Sequence, residues 1–196
     1  MSQPTNMQNI YTQITFLLWF LMSIVWFIGF FGNKKTTRLP NAVEQIIANI
    51  LLVIAALLVF NQESSGFLSR SVTPSSSTYG MIGILVCAIA VTFAIWARVS
   101  LGRNWSGAVI TLKADHKLIE TGPYKFVRHP IYTGFFFAAL GMALTIGTLS
   151  TYIGTLLFLI AFLIRMEKEE ALMITQFPNE YPEFKKRSKK LIPFVW

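Results

Sequence analysis

Charge is scarce in this sequence. Only 13% of its 196 residues are Asp, Glu, Lys or Arg, about half of the ~25% that a soluble domain carries. Hydrophobic residues make up 54% and mean hydropathy is +0.54. So little polar surface cannot be wetted on all sides, and the chain reads as an integral membrane protein. Cysteine is nearly missing: Cys87 stands alone in an apolar run, which excludes an internal disulfide and makes it a small core residue. Two histidines and no second cysteine offer no metal-ligand spacing, so no metal is expected. A signal peptide is not expected either. The first nine residues lack Lys and Arg, the apolar stretch after them is too long, and no small-x-small cleavage site follows. With no internal repeat and no linker, residues 1–196 are expected to form one domain.

What is present is long apolar helix. Spans are expected at Ile10–Phe31, Ala42–Phe60 and Tyr79–Ala97, each about the ~20 residues that cross a bilayer. Two shorter apolar segments, Ile131–Thr148 and Thr151–Ile164, are punctuated by glycines that let backbones approach closely, and read as a tight hairpin. The fold class is therefore all-α with about five transmembrane helices: three in residues 1–97, and a C-terminal hairpin, 131–164, in a catalytic part, 98–196. Asn49, deep in the second span, is expected to hydrogen-bond another helix.

The basic residues then set an orientation. Residues 33–41, 98–130 and 165–196 hold three, six and seven Lys and Arg, whereas the opposite face has Arg70 alone. By the positive-inside rule the N-terminus is external and the C-terminus cytoplasmic. The formal charge of +8 is thereby accounted for without nucleic acid. The run Lys185 to Lys190 is expected to lie on anionic headgroups.

Chemistry concentrates in residues 116–132, HKLIETGPYKFVRHPIY, where both histidines, two tyrosines and three breakers fall between apolar spans. Gly122-Pro123 predicts a turn that presents Tyr124. Pro130 suits the first turn of the next helix, whose free N–H groups and positive dipole end would suit a carboxylate. Arg128, His129 and Tyr132 read equally well as headgroup anchors. A second candidate is Arg165 to Glu170, where Arg165 and Glu169 share a helical face at the interface. Either these charges pair along the helix, or Glu169 holds a cationic ligand group and Arg165 an anionic one. Gly102 to Ser106 is a weaker candidate, equally an interfacial Trp belt.

Taken in order, LGRNWS, the 116–132 stretch, the hairpin, R-x-x-x-EE-x-L, F-x-x-E-Y and a closing LIP resemble the isoprenylcysteine carboxyl methyltransferase family and its phospholipid N-methyltransferase relatives. The resemblance covers roughly residues 100–196. It implies an S-adenosylmethionine-dependent membrane methyltransferase acting on a lipophilic or prenylated substrate among membrane lipids. Cofactor contacts would fall on His116, Lys117, Leu118, Ile119, Tyr124, His129, Pro130, Ile131, Tyr132 and Glu169. Arg165 would be the substrate-site arginine and, with Glu169, carry the catalytic role. Val109 stands where eukaryotic members carry a polar contact. Two rival readings are a nicotinamide-dependent reductase of the sterol-reductase type, and a membrane scaffold or transporter. The first is disfavoured by Ile131 where that family has Asn. The second is disfavoured by polar residues that gather at one interface rather than at the bilayer midplane.

Overall fold

A computed structural model describes residues 6–31, 36–38, 42–61, 65–102, 105, 112–113 and 118–196. Among the described residues six α-helices carry the fold: α1 (Asn6–Phe30), α2 (Ala42–Phe60), α3 (Ser77–Leu101), α4 (Pro130–Ile146), α5 (Leu149–Gln176) and α6 (Glu180–Arg187). Two short strands, β1 (Thr36–Arg38) and β2 (Leu112–Lys113), pair antiparallel and tie the segment after α1 to the polar interval after α3.

Four helices, α1, α2, α3 and α5, are long and apolar enough to cross a bilayer. Helix α4 has 17 residues, about 26 Å at 1.5 Å per residue, short of the ~30 Å hydrocarbon core. Large apolar side chains lie exposed along α1 and α2, among them Phe20, Phe27, Ile28, Val53 and Leu57. An apolar face of that extent calls for a partner other than water, and a bilayer supplies it.

Helix α4 packs on α3, α2 on α5, and α1 against α3 and α4. Glycine sets the closeness of the first two pairs. A methyl group on Gly141 would meet the Cys87 backbone nitrogen at 2.6 Å and the Gly83 carbonyl at 2.7 Å, and one on Gly154 would meet the Ala55 carbonyl at 2.8 Å. Backbone atoms cannot swing aside, so Gly141→Ala should destabilise the protein by about 1–3 kcal/mol, read as a lower thermal midpoint in detergent.

Helix α5 outruns its apolar segment. That segment ends at Ile164, and the helix continues through the charged residues, as the shared face of Arg165 and Glu169 implied, to Gln176. No Gly or Pro interrupts residues 155–176, and Arg, Met, Glu, Lys, Ala and Leu are good helix formers. It stops at Phe177, which precedes Pro178 and is steered out of the helical region. At 28 residues it is about 42 Å long, so its last turns project beyond the hydrocarbon. The hairpin before it turns at Gly147, whose φ of 79° is left-handed. The 70–72 segment is stitched across that turn by Val72 N donating to Gly147 O (2.7 Å) and Leu149 N to Arg70 O (2.9 Å).

Candidate functional site

The site lies where the N-terminus of α4 meets the projecting end of α5. Residues 122–125 form a 3-10 turn in which Gly122 has φ +61°, and a Cβ there would stand 2.6 Å from Ser100 Oγ. The turn thus packs on the end of α3, and it buries Pro123 and Tyr124. Burial pushes the Tyr124 phenol up, the nearby Glu169 carboxylate and Tyr132 add to this, and Arg98 opposes it. Tyr124 is accordingly a neutral donor.

Helix α4 then starts at Pro130 with His129 at its N-cap, as the sequence implied. The imidazole is buried between two carboxylates: Nδ1 is 3.4 Å from Glu169 Oε2 and Nε2 is 3.3 Å from Glu170 Oε1. An imidazole facing acceptors on both nitrogens is best satisfied when protonated. Burial alone would lower its pKa, but hydrogen bonds to Glu169 and Glu170 outweigh that and raise it above the ordinary value. This sets a pH dependence. A raised folded value means that the pairing stabilises fully below the ordinary pKa of about 6.5 and is lost as pH rises through the folded value. The thermal midpoint should fall over that window, with Glu169, Glu170 and Tyr132 facing the ring, and His129→Gln should flatten the slope.

From Glu169 the network runs toward the membrane. Tyr132 donates to Glu169 Oε1 and accepts from Arg165 Nε at 3.2 Å. Arg165 Nη1 donates to Asn49 Oδ1 on α2 at 2.9 Å. The rings form a near-parallel ladder with 18° between successive planes: His129 on Tyr132, Tyr132 on Phe162 and Phe162 on Phe158. Its polar rung is at the interface and its apolar rungs are in the core.

From Glu170 a second branch runs away from the membrane. Its Oε1 lies 3.0 Å from Arg128 Nε and its Oε2 lies 2.6 Å from Lys185 Nζ. Arg128 also donates to Ser188 O at 2.5 Å. The closing segment follows the loop before α4, with Arg128 N donating to Lys189 O (2.8 Å), His129 N to Lys190 O (3.2 Å) and Thr133 Oγ1 to Leu191 O (2.6 Å).

The structure therefore brings Tyr124, His129, Tyr132, Arg165 and Glu169 into one buried polar cluster, with Pro130 and Ile131 forming the helix start between them. Leu118 and Ile119 are half-buried in the segment leading to the turn and add no polar contact to the cluster. His116, Lys117 and Val109 lie outside the described residues. Between the two readings of Arg165 to Glu170, the partners described here come from other elements. Lys168 pairs with Glu44 of α2, while Arg165, Glu169 and Glu170 reach α2, α4 and α6. The headgroup-anchor reading of Arg128, His129 and Tyr132 gives way too, because all three side chains turn inward onto the carboxylates of α5. In the basic run near the C-terminus, Lys185 reaches the buried Glu170, while Arg187 pairs with Glu120 and Lys190 with Glu167 at the surface. Glu170, Arg128 and Asn49 carry more of the network than their sequence context signalled. For Glu170 the clue was the doubled Glu; for Asn49, a polar side chain in an apolar span.

The model of the isoprenylcysteine carboxyl methyltransferase family matches residues 81–175. The match takes in just under half of the chain and marks a resemblance to that family. The matched stretch runs from α3 through α5 and contains every side chain of the cluster except Asn49 and the α6 partners. Over 104 residues the chain is 35% identical to a Schizosaccharomyces pombe protein-S-isoprenylcysteine O-methyltransferase, covering 50% of this chain and 43% of that one. Its Saccharomyces cerevisiae counterpart is 38% identical over 96 residues, covering 48% and 40%. The chain thus spans about two fifths of the length of these relatives. The solved structure of the eukaryotic intramembrane Ras methyltransferase of this family superposes with a TM-score of 0.54 at 23% identity, over 78% of this chain and 52% of that one. That likeness carries the fold: a multi-pass helical membrane protein.

Proposed function

We propose that this chain is an S-adenosylmethionine-dependent membrane methyltransferase that esterifies the carboxylate of a lipophilic, isoprenylcysteine-like acceptor. One observation carries the reading. Through Tyr132 the Arg165 guanidinium, at the membrane end of the cluster, connects to the Glu169–His129 couple at its polar end. A guanidinium suited to an anion and a carboxylate suited to a cation thus adjoin.

The donor set fits the cofactor. When bound, S-adenosylmethionine supplies an electrophilic methyl on a sulfonium. Glu169 offers a carboxylate to its cationic groups, and the aromatic ring of Tyr124 suits the sulfonium. The N–H groups of Ile131 and Tyr132, in the α4 first turn that Pro130 opens, suit its carboxylate. His116, Lys117, Leu118 and Ile119 would complete that side. Arg165 orients the acceptor carboxylate, which is already ionised at neutral pH and needs no general base. Methyl transfer is an in-line displacement, so alignment is most of what the protein contributes. The orientation implied by the basic residues places this site and the C-terminus in the cytoplasm, the acceptor's lipid arriving from the bilayer.

The test is to incubate the purified protein with methyl-labelled S-adenosylmethionine, native lipid extract and a farnesylated cysteine analogue. The expected label is a base-labile ester on the farnesylated compound. Label on a base-stable amine would contradict carboxyl transfer and point to phospholipid N-methylation.

A further inference from the structure

The face of α2 that meets α5 carries two side-chain amides one helical turn apart, Gln45 and Asn49. The two helices run antiparallel, with Glu44 paired to Lys168, Asn49 bonded to Arg165, and Ala55 against Gly154. Gln45 sits between the first two of these ties, alongside the Arg165–Glu169 stretch. Its Nε2 is sealed from solvent and has no hydrogen-bond partner among the described residues. A buried donor left unsatisfied is costly, and a ligand acceptor would remove that cost.

Resting on the methyltransferase reading, we infer that Gln45 and Asn49 complete the acceptor side of the site. Asn49 positions the Arg165 guanidinium, and Gln45 gives its free amide N–H to the acceptor carboxylate. The choice of amides has a physical logic. A neutral oxygen at position 49 holds the arginine without cancelling its charge, whereas a carboxylate there would compete with the substrate. A neutral donor at position 45 adds a hydrogen bond to the carboxylate that Arg165 attracts. Both residues lie outside residues 81–175, so the N-terminal half contributes to acceptor recognition as well as to anchoring.

The test compares N-acetyl-S-farnesylcysteine with its carboxamide as ligands of the full chain in detergent. The wild-type protein should prefer the acid. Gln45→Leu should shrink that preference about tenfold, and Gln45→Glu, which repels a carboxylate, should reverse it. Asn49→Leu should raise KM for the acid more than it lowers kcat. All three variants should keep S-adenosylmethionine affinity within about twofold, which a general loss of structure would not. An unchanged acid-to-carboxamide ratio in both Gln45 variants, with the cofactor still bound, overturns this inference alone. A wild-type protein that binds no S-adenosylmethionine overturns it together with the reading on which it rests.

Discussion

Glu170→Gln should cost the protein about 3–5 kcal/mol, the range for breaking a buried ion pair from one side. Glu170 is almost wholly buried, and its carboxylate faces Arg128 at 3.0 Å, His129 at 3.3 Å and Lys185 at 2.6 Å. An amide of the same shape has one neutral oxygen and one NH2 group, so either Arg128 and His129 or Lys185 must face a donor in place of a carboxylate oxygen. The loss should appear as a lower thermal midpoint in detergent. It should also loosen the closing segment, because Arg128 links Glu170 to Ser188 O. Limited proteolysis after residue 185 would report that loosening. Lys185→Met should cost far less, since that side chain is 38% exposed and solvent screens its pairing. Equal effects from the two substitutions would contradict the hierarchy drawn here.

Arg165→Leu should lower kcat/KM for a farnesylated carboxylate acceptor by about 30-fold or more. Truncating one member of a desolvated charge pair typically costs 2–5 kcal/mol, and each 1.4 kcal/mol is tenfold. The guanidinium is buried and fixed by Tyr132 and Asn49, so it is pre-set to receive an anion. Leucine keeps the apolar volume of the stem and removes the charge, which separates recognition from packing. S-adenosylmethionine affinity should change much less. If the variant instead retained acceptor affinity and lost the cofactor, Arg165 would belong to the cofactor side and the proposed division of the site would be reversed.

Some of this was legible in the sequence for direct physical reasons. Apolar runs near 20 residues can be little else than spans, and Pro130 after a polar turn marks a helix start. The Arg165–Glu169 spacing places two charges on one face whatever surrounds them. What sequence periodicity could not reach was the partner of each charge. Arg128 at a membrane boundary has an ordinary reading as a headgroup anchor, and only the fold shows Glu170, 42 residues on, waiting for it. The same holds for Asn49 and Arg165, separated by 116 residues. The extent of α5 was hidden for another reason: hydropathy falls at Arg165, although helical propensity does not. Nor does the sequence show that α2 packs along α5 and reaches its arginine, a contact that joins the two halves of the chain.

The central claim is that the loop before α4 and the projecting end of α5 together hold a charged methyl donor. Calorimetric titration of S-adenosylmethionine into the solubilised protein tests it most directly, repeated on Tyr124→Phe, His129→Gln and Glu169→Gln. The account predicts one site per chain in the wild-type protein, weakened by all three substitutions and most by Glu169→Gln. Binding that is absent from the wild-type protein, or indifferent to all three changes, would contradict it.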